Sequence, residues 1–361
     1  MSRMMNGRRD ADVVIVGAGM SGIVAARELV AAGARVTVLE KGRGVGGRMA
    51  TRRLGTAVCD HGAQFFTVRG RAFGTLVRDA HDAAAVAEWC AGFTRATASS
   101  LLPPGDGHPR WRGTPGMTSL PKYIAAEFDP ARCDVRTGVK VSSIGIDGEA
   151  VTIGLDEGIP LRAAAAIVSS PVPQSLDLLA AGGLLPPAGN AIDAAVLRTL
   201  RGIDYDPCFA LMLVLDRPSL VPPPGGIQFE TDGPATGPIA WVADNQQKGI
   251  STVPSLTVHA TAAFSRQHFE TPPDEVAAHL LEAVAAWIDG PLATAVVERS
   301  LHRWKFAQPV APVAEPLVAA STHPPIVCCG DAFGAAKVEG AASSGLAAAR
   351  WVVRVLAGEK T

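Results

Sequence analysis

Three glycines and one carboxylate within the first 40 residues have the types and spacing to hold a dinucleotide. Gly17, Gly19 and Gly22 stand in G-x-G-x-x-G order directly after the apolar run at residues 13–16. Gly17 permits a tight turn out of a strand. Gly19 leaves the backbone bare for a pyrophosphate, with Ala18 beside it in the same loop. Gly22 lets a helix at residues 23–32 lie close to the strand. The N–H groups and the dipole at the start of that helix attract phosphate. Glu40 closes a second apolar run at residues 36–39 and can accept from a ribose hydroxyl. This pattern alone does not separate NAD from FAD.

A second set lies near the other end of the chain. Residues 326–329 read as a final strand, Gly330 and Asp331 follow, and V-E-G-A-A-S-S-G at 338–345 opens an alanine-rich helix to residue 356. Asp331 can bond a ribityl hydroxyl or lie near a pyrophosphate. The helix start at Val338, Gly340 and Ala341 can stabilise negative charge on a bound cofactor. No Ser/His/Asp or paired-carboxylate constellation is evident, so the chemistry read here is cofactor chemistry.

Elements must position these residues. The first 40 residues read as strand, turn, helix, strand. Residues 71–90 carry Phe73, Leu76, Val77, Ala80, Ala84 and Ala87 near helical spacing and predict one helix. Pro115-Gly116 marks a turn, and Thr118 or Ser119 can cap a helix through residue 128. Residues 135–144 alternate like one strand, with partners at 151–155 and 161–168. From about residue 191 to 297 the composition changes to short strands broken by Pro and Gly, at 209–215, 227–229, 239–243 and 256–260, with a helix at 274–287. This predicts an antiparallel sheet with helices. The fold expected is α/β: a Rossmann-like dinucleotide-binding domain (residues 1–72, 115–190 and 300–361) with a discontinuous α+β substrate domain (residues 73–114 and 191–299).

The totals narrow the partners. The chain has 361 residues and a formal net charge of −1, with no run of Lys and Arg, which argues against nucleic acid. Six cysteines stand without C-x-x-C spacing or a histidine cluster and read as buried free thiols of a reducing compartment. No metal site is expected. Arg3, Arg8 and Arg9 precede an apolar run only a strand long, too short for a signal peptide, and no 18-residue apolar span is present. A cytoplasmic monomer or homodimer, away from membranes, is the expectation.

After Glu40 come five residues, beginning with Lys41, and then Gly46-Gly47-Arg48. This E-x5-G-G-R extension resembles the flavoprotein family of the amine oxidases. The further matches M-A-T-R-R at 49–53, D-H-G-A-Q-F-F-T at 60–67, P-G-M at 115–117 and H-R-W-K-F-A-Q-P at 302–309 are similar to its renalase-like bacterial branch. The resemblance implies non-covalent FAD, held by Gly17, Ala18, Gly19, Gly22, Glu40, Lys41, Gly47, Arg48, Gln64, Val141, Gly330, Asp331, Val338, Gly340 and Ala341. Val141 would give a backbone contact to adenine, and the loop at Gln64 would run beside the isoalloxazine ring. It also implies oxidation of 2- or 6-dihydro-NAD(P) by hydride transfer, with O2 reduced to H2O2. An amine-like small-molecule substrate is the alternative. Lys305, Trp304, Gln64 and Phe65 are the catalytic candidates, with Lys305 near the oxygen or the flavin. Phe66 and Trp241 could equally line a pocket or fill a core, and His61 and His302 read as structural. Asp244 departs from the branch, where a basic residue stands nearby and an arginine follows. A loop there facing substrate phosphates would meet negative charge instead. Only Tyr123 and Tyr205 are present, which weighs against a tyrosine cage.

Overall fold

The computed structural model describes residues 9–97, 100–105, 107–189, 191–230 and 237–359. Arg3 and Arg8 lie outside them. The chain divides into two compact units: residues 9–47, 121–204 and 309–359, and residues Arg48–Leu120 with Tyr205–Gln308.

The first unit is built on an eight-stranded sheet. Its main path runs Val141–Asp147, Ala150–Leu155, Leu161–Val168, Ala11–Val16, Val36–Glu40, Cys133–Thr137. Pro325–Cys328 runs parallel to the last residues of Leu161–Val168 and pairs with Val318–Thr322. Val13, Val14 and Ile15 are fully buried, as parallel strands covered on both faces require. The helices Met20–Ala31 and Lys337–Leu356 cross so closely that a Cβ on Gly345 would lie 2.1 Å from the Ser21 carbonyl oxygen. The parallel strands end at one edge. Gly17, Glu40, Ser169 and Gly330 therefore share that edge, where ligands of open α/β sheets bind.

The second unit holds a seven-stranded sheet in the order Val296–Pro309, Tyr205–Leu215, Ser255–Ala260, Ile239–Asp244, Gly226–Phe229, Thr94–Ala96, Leu101–Leu102. The expectation of an antiparallel sheet needs one correction: Gly226–Phe229 and Thr94–Ala96 run parallel. Helix Pro273–Val284 packs Val276, Leu280 and Val284 into its core.

Three local expectations also change. The helix expected over residues 71–90 ends at Asp82, and Val86–Cys90 becomes a strand paired with Arg110–Gly113. Ala84 sits at φ +56 between them, and ladder hydrogen bonds outweigh the weak apolar periodicity of the alanines. The strand expected over 135–144 is two strands, broken at Gly138 with φ +72. Residues 48–72, 115–120 and 300–308, placed by sequence with the nucleotide domain, group with the second unit, and residues 191–204, placed with the substrate domain, group with the first. The hairpin Thr51–Leu54 and Ala57–Asp60 packs Leu54 and Cys59 against Met212 of the second unit. All six cysteines are free; Cys90 and Cys208 are half-buried rather than buried. No helix among the described residues is long and apolar enough to cross a membrane.

Candidate active site

The sequence-predicted residues fall into two groups, one in each unit. In the first unit the glycine turn follows the strand Ala11–Val16. Gly17 has φ +103, a conformation that favours glycine, and a Cβ there would lie 2.6 Å from Ser169 Oγ. A Cβ on Gly22 would lie 2.0 Å from the Gly17 carbonyl oxygen, so both glycines are demanded by the protein's own packing. Gly19 differs: a Cβ there meets nothing within 4 Å. Gly19 also caps helix Met20–Ala31, which has no side-chain cap. The second glycine pair folds back onto this turn. Gly46 N–H donates to the Ala18 carbonyl at 2.8 Å, and a Cβ on Gly47, at φ +52, would lie 3.2 Å from Gly19 Cα.

Glu40 fastens the turn to the second strand. Its carboxylate accepts from Ala18 N–H at 2.9 Å and Gly42 N–H at 2.7 Å, each oxygen keeping a further lone pair. Lys41 is exposed, and its Nζ donates to Gln174 Oε1 at 3.3 Å. Val141 is buried at the start of its strand. At the far end, Gly330 has φ +140, and its N–H donates to Ser344 Oγ, which in turn donates to the Pro316 carbonyl. Asp331 follows, largely buried. Helix Lys337–Leu356 carries Val338, Gly340 and Ala341 in its first turns and has no side-chain cap. A bare glycine, two uncapped helix starts and a carboxylate at one sheet edge fit a dinucleotide such as FAD. Sequence reasoning missed Ser169, whose Oγ donates to the Val16 and Gly17 carbonyls at 3.0 Å. A serine after a buried strand carries no signal of its own.

The second unit gathers the other group around Asp60. Asp60 Oδ1 accepts from Thr51 Oγ1 at 2.6 Å and from Met117 N–H at 2.9 Å. Its Oδ2 accepts from Lys248 Nζ at 2.6 Å, and both side chains are 0% exposed. Lys248 Nζ also stands 4.9 Å from the Trp89 ring centroid. Burial pushes the Lys248 ammonium down, while Asp60 acts in the opposite direction. Nothing in the residue order singles out this pair, because its members are 188 residues apart.

Asp244 explains how Lys248 is aimed. Asp244 is buried; its Oδ1 accepts from the Gln246 and Gln247 N–H groups, and its Oδ2 accepts from Ser219 Oγ at 2.6 Å. The carboxylate winds the turn that carries Lys248. It does not face solvent, so even a loop facing substrate phosphates would not present this charge to them: it is satisfied within the turn.

The Asp60 backbone continues into the predicted loop. Gln64 Nε2 donates to the Asp60 and Gly62 carbonyls, and His259 Nε2 lies 3.4 Å away. His61 stacks on Trp304 at 5.5 Å, with His302 edge-on to it at 4.8 Å. The indole N–H of Trp304 donates to the His61 carbonyl at 2.8 Å. Burial pushes His61 down to about 3 and His259 to about 4, and it lowers His302 as well. His61 Nδ1 and Gln64 Oε1 are buried without a hydrogen-bond partner, as is Trp241 Nε1. Phe65 sits among Phe93, Trp241 and the Arg110 guanidinium.

Gln64 and Trp304 thus converge on one loop. Lys305 is the next residue of the strand, so its side chain leaves by the opposite face; it is exposed, 5.4 Å from the Phe306 ring. Arg48 donates to the Phe306 and Ala307 carbonyls at 3.4 and 3.2 Å, with Tyr205 beneath its guanidinium.

Two family models match the chain, each across parts of both units. Residues 15–79 match the NAD(P)-binding Rossmann-like domain, and residues 91–353 match the family described as flavin containing amine oxidoreductase. A bacterial protein assigned as a protoporphyrinogen oxidase, from Exiguobacterium sp. 255-15, shares the fold with TM-score 0.72 and 14% identity, over 95% of this chain and 99% of that one. Wild-type putrescine oxidase bound to putrescine gives TM-score 0.67 and 16% identity, over 95% and 99% of the two chains. Lysine-specific histone demethylase 1 homolog 1 of Arabidopsis thaliana is 40% identical over 82 residues, 21% of this chain and 10% of that protein. L-amino-acid oxidase of Echis ocellatus is 60% identical over 42 residues, 12% of this chain and 8% of that protein. The chain therefore spans about a tenth of the length of these curated relatives. With the family match covering most of its length, the chain belongs to the flavin containing amine oxidoreductases and is an oxidoreductase enzyme.

Proposed function

We propose that this flavoenzyme binds FAD non-covalently and oxidises 2- or 6-dihydro-NAD(P) to NAD(P)+, with O2 as the final acceptor. The observation that carries the reading is that the titratable groups described around the loop at Gln64 offer no ready base. With conjugate acids near 3 and 4, His61 and His259 are poor bases at neutral pH, and Lys248 is committed to Asp60. A dihydropyridine needs no base, because its ring nitrogen expels the hydride; the protein has only to orient it and exclude water. Bound FAD supplies the two-electron acceptor and its reoxidation by O2. We assign Gly19, Gly47 and the two helix starts to the pyrophosphate and flavin, and Glu40 to the ribose; Lys305, exposed on the strand face opposite Trp304, is given no role in the chemistry. Trp304 holds the loop that carries Gln64. Tyr205 is the one tyrosine of the second unit, so no tyrosine pair is available there to flank an amine.

The test is anaerobic bleaching of the FAD-loaded protein by a substrate panel. Bleaching by 6-dihydro-NAD and not by putrescine or L-amino acids supports the reading. Bleaching by amines alone overturns it in favour of an amine oxidase. A purified protein without flavin absorbance, even after reconstitution with FAD, removes both.

A further inference from the structure

Arg112 lies on the strand Arg110–Gly113, in register with Ala87 of the neighbouring strand. Its guanidinium is half-buried, yet its bonds are few and long: Nη1 donates to the Gly113 carbonyl at 3.4 Å and to Thr114 Oγ1 at 3.3 Å. Among the described residues, Nε and Nη2 bond no protein acceptor and no carboxylate pairs with the group. Burial lowers its proton affinity, and the attraction of Asp60 only partly offsets this. Other arginines of the unit are served better: Arg52 donates to Ser300 Oγ at 2.9 Å and Arg303 to the Phe269 carbonyl at 2.6 Å.

The surroundings sharpen the imbalance. Asp60 is already neutralised by Lys248, so Arg112, Lys248 and Asp60 together carry one excess positive charge in a partly desolvated place. The turn that Asp244 winds passes directly beneath the guanidinium. A Cβ on Gly249, at φ +76, would lie 3.0 Å from Nη2, so a glycine there leaves the guanidinium edge its room. A half-buried cation without a counter-ion is unfavourable unless something else supplies the charge. A guanidinium offers two parallel N–H groups that match the oxygens of a carboxylate or phosphate.

We propose that Arg112 is a substrate-recognition residue, its Nε–Nη2 edge binding an oxyanion, carboxylate or phosphate, carried by the substrate. The proposal rests on the reading of the second unit as the substrate-binding unit. It deepens that reading by requiring an anionic substrate.

The experiment uses FAD-loaded parent, Arg112→Met and Arg112→Lys. Pyrophosphate and benzoate are titrated calorimetrically at low salt. KM and kcat are measured for 6-dihydro-NAD and for 1-methyl-1,6-dihydronicotinamide, which carries no phosphate. The expected result is that the parent binds one of the two anions and that Arg112→Met weakens it about 10- to 100-fold. KM for 6-dihydro-NAD should rise by a similar factor, with kcat within about 2-fold and the uncharged compound unaffected. Arg112→Lys should recover part of the loss. Tm of Arg112→Met should not fall, since a cation beside Lys248 is removed. Preferential binding of pyrophosphate points to a phosphate on the substrate, and of benzoate to a carboxylate. Unchanged anion binding in Arg112→Met, equal loss for charged and uncharged compounds, or a fall in Tm with no change in KM overturns the proposal. If only amines are oxidised, the functional reading fails separately. Arg112 is then judged on L-leucine against isoamylamine, where loss confined to L-leucine supports it and equal effects overturn it.

Discussion

Replacing Lys248 by Met is the sharpest perturbation of the second unit. Met keeps the unbranched stem and removes the ammonium that sits 2.6 Å from Asp60 Oδ2. Both partners are fully buried, so Asp60 is left as a carboxylate with only the Thr51 hydroxyl and the Met117 N–H as donors. Breaking a buried pair from one side costs about 3–5 kcal/mol, whereas replacing both partners by uncharged groups is often close to neutral. For a cooperative unit of this size, each kcal/mol moves Tm by roughly 2–4 °C. Lys248→Met should therefore lower Tm by about 6–20 °C. The double variant Lys248→Met/Asp60→Asn should recover more than half of that loss, because the uncharged side-chain amide keeps an oxygen acceptor for Thr51 and Met117. Thermal unfolding followed by circular dichroism, on cofactor-free and FAD-loaded protein, measures both. A Lys248→Met protein within about 3 °C of the parent, or a double variant no better than the single one, would falsify the view that this pair is a coupled node.

Other consequences are open to simpler assays. Gly19→Val should abolish FAD uptake while leaving the fold of the cofactor-free protein intact, because the new Cβ enters space that no protein atom occupies. Gly22→Val should instead disrupt folding, its Cβ meeting the Gly17 carbonyl; flavin content and circular dichroism separate the two, and normal FAD content in Gly19→Val would refute the placement of the pyrophosphate. The depressed values of His61 and His259, about 3 and about 4 against an ordinary 6.5, mean that the unfolded chain binds protons the native state refuses. Stability should thus be lost as pH falls below 6.5, with a slope approaching about 1.4 kcal/mol per pH unit for each histidine. His61→Asn/His259→Asn should flatten that part of the profile, and parallel profiles for parent and variant would show that the histidines do not contribute. Glu40→Gln should weaken FAD binding by about tenfold, since the charge-assisted bonds to Ala18 and Gly42 become neutral ones; fluorescence titration with FAD reads this directly.

The Rossmann-like half of the fold was legible in residue order. Gly17, Gly19, Gly22 and Glu40, and again Gly330 with the helix that follows, act through backbone conformations and helix starts set within a few residues. Such demands are written in contiguous residue types. The same local reading overran at residues 71–90, where alanine periodicity suited a helix and cross-strand pairing with Arg110–Gly113 prevailed. It also left Asp244 as a negative charge open to phosphates should its loop face them, when the carboxylate closes its own turn. Long-range packing was needed to show that Asp60 meets Lys248, that Ser169 locks Gly17, that Trp304 grips the loop at His61, and that Arg112 lies over Gly249. These partners come from strands and turns far apart in the chain. Their meeting depends on strand register and on which face each side chain takes, and residue type and spacing do not encode either one.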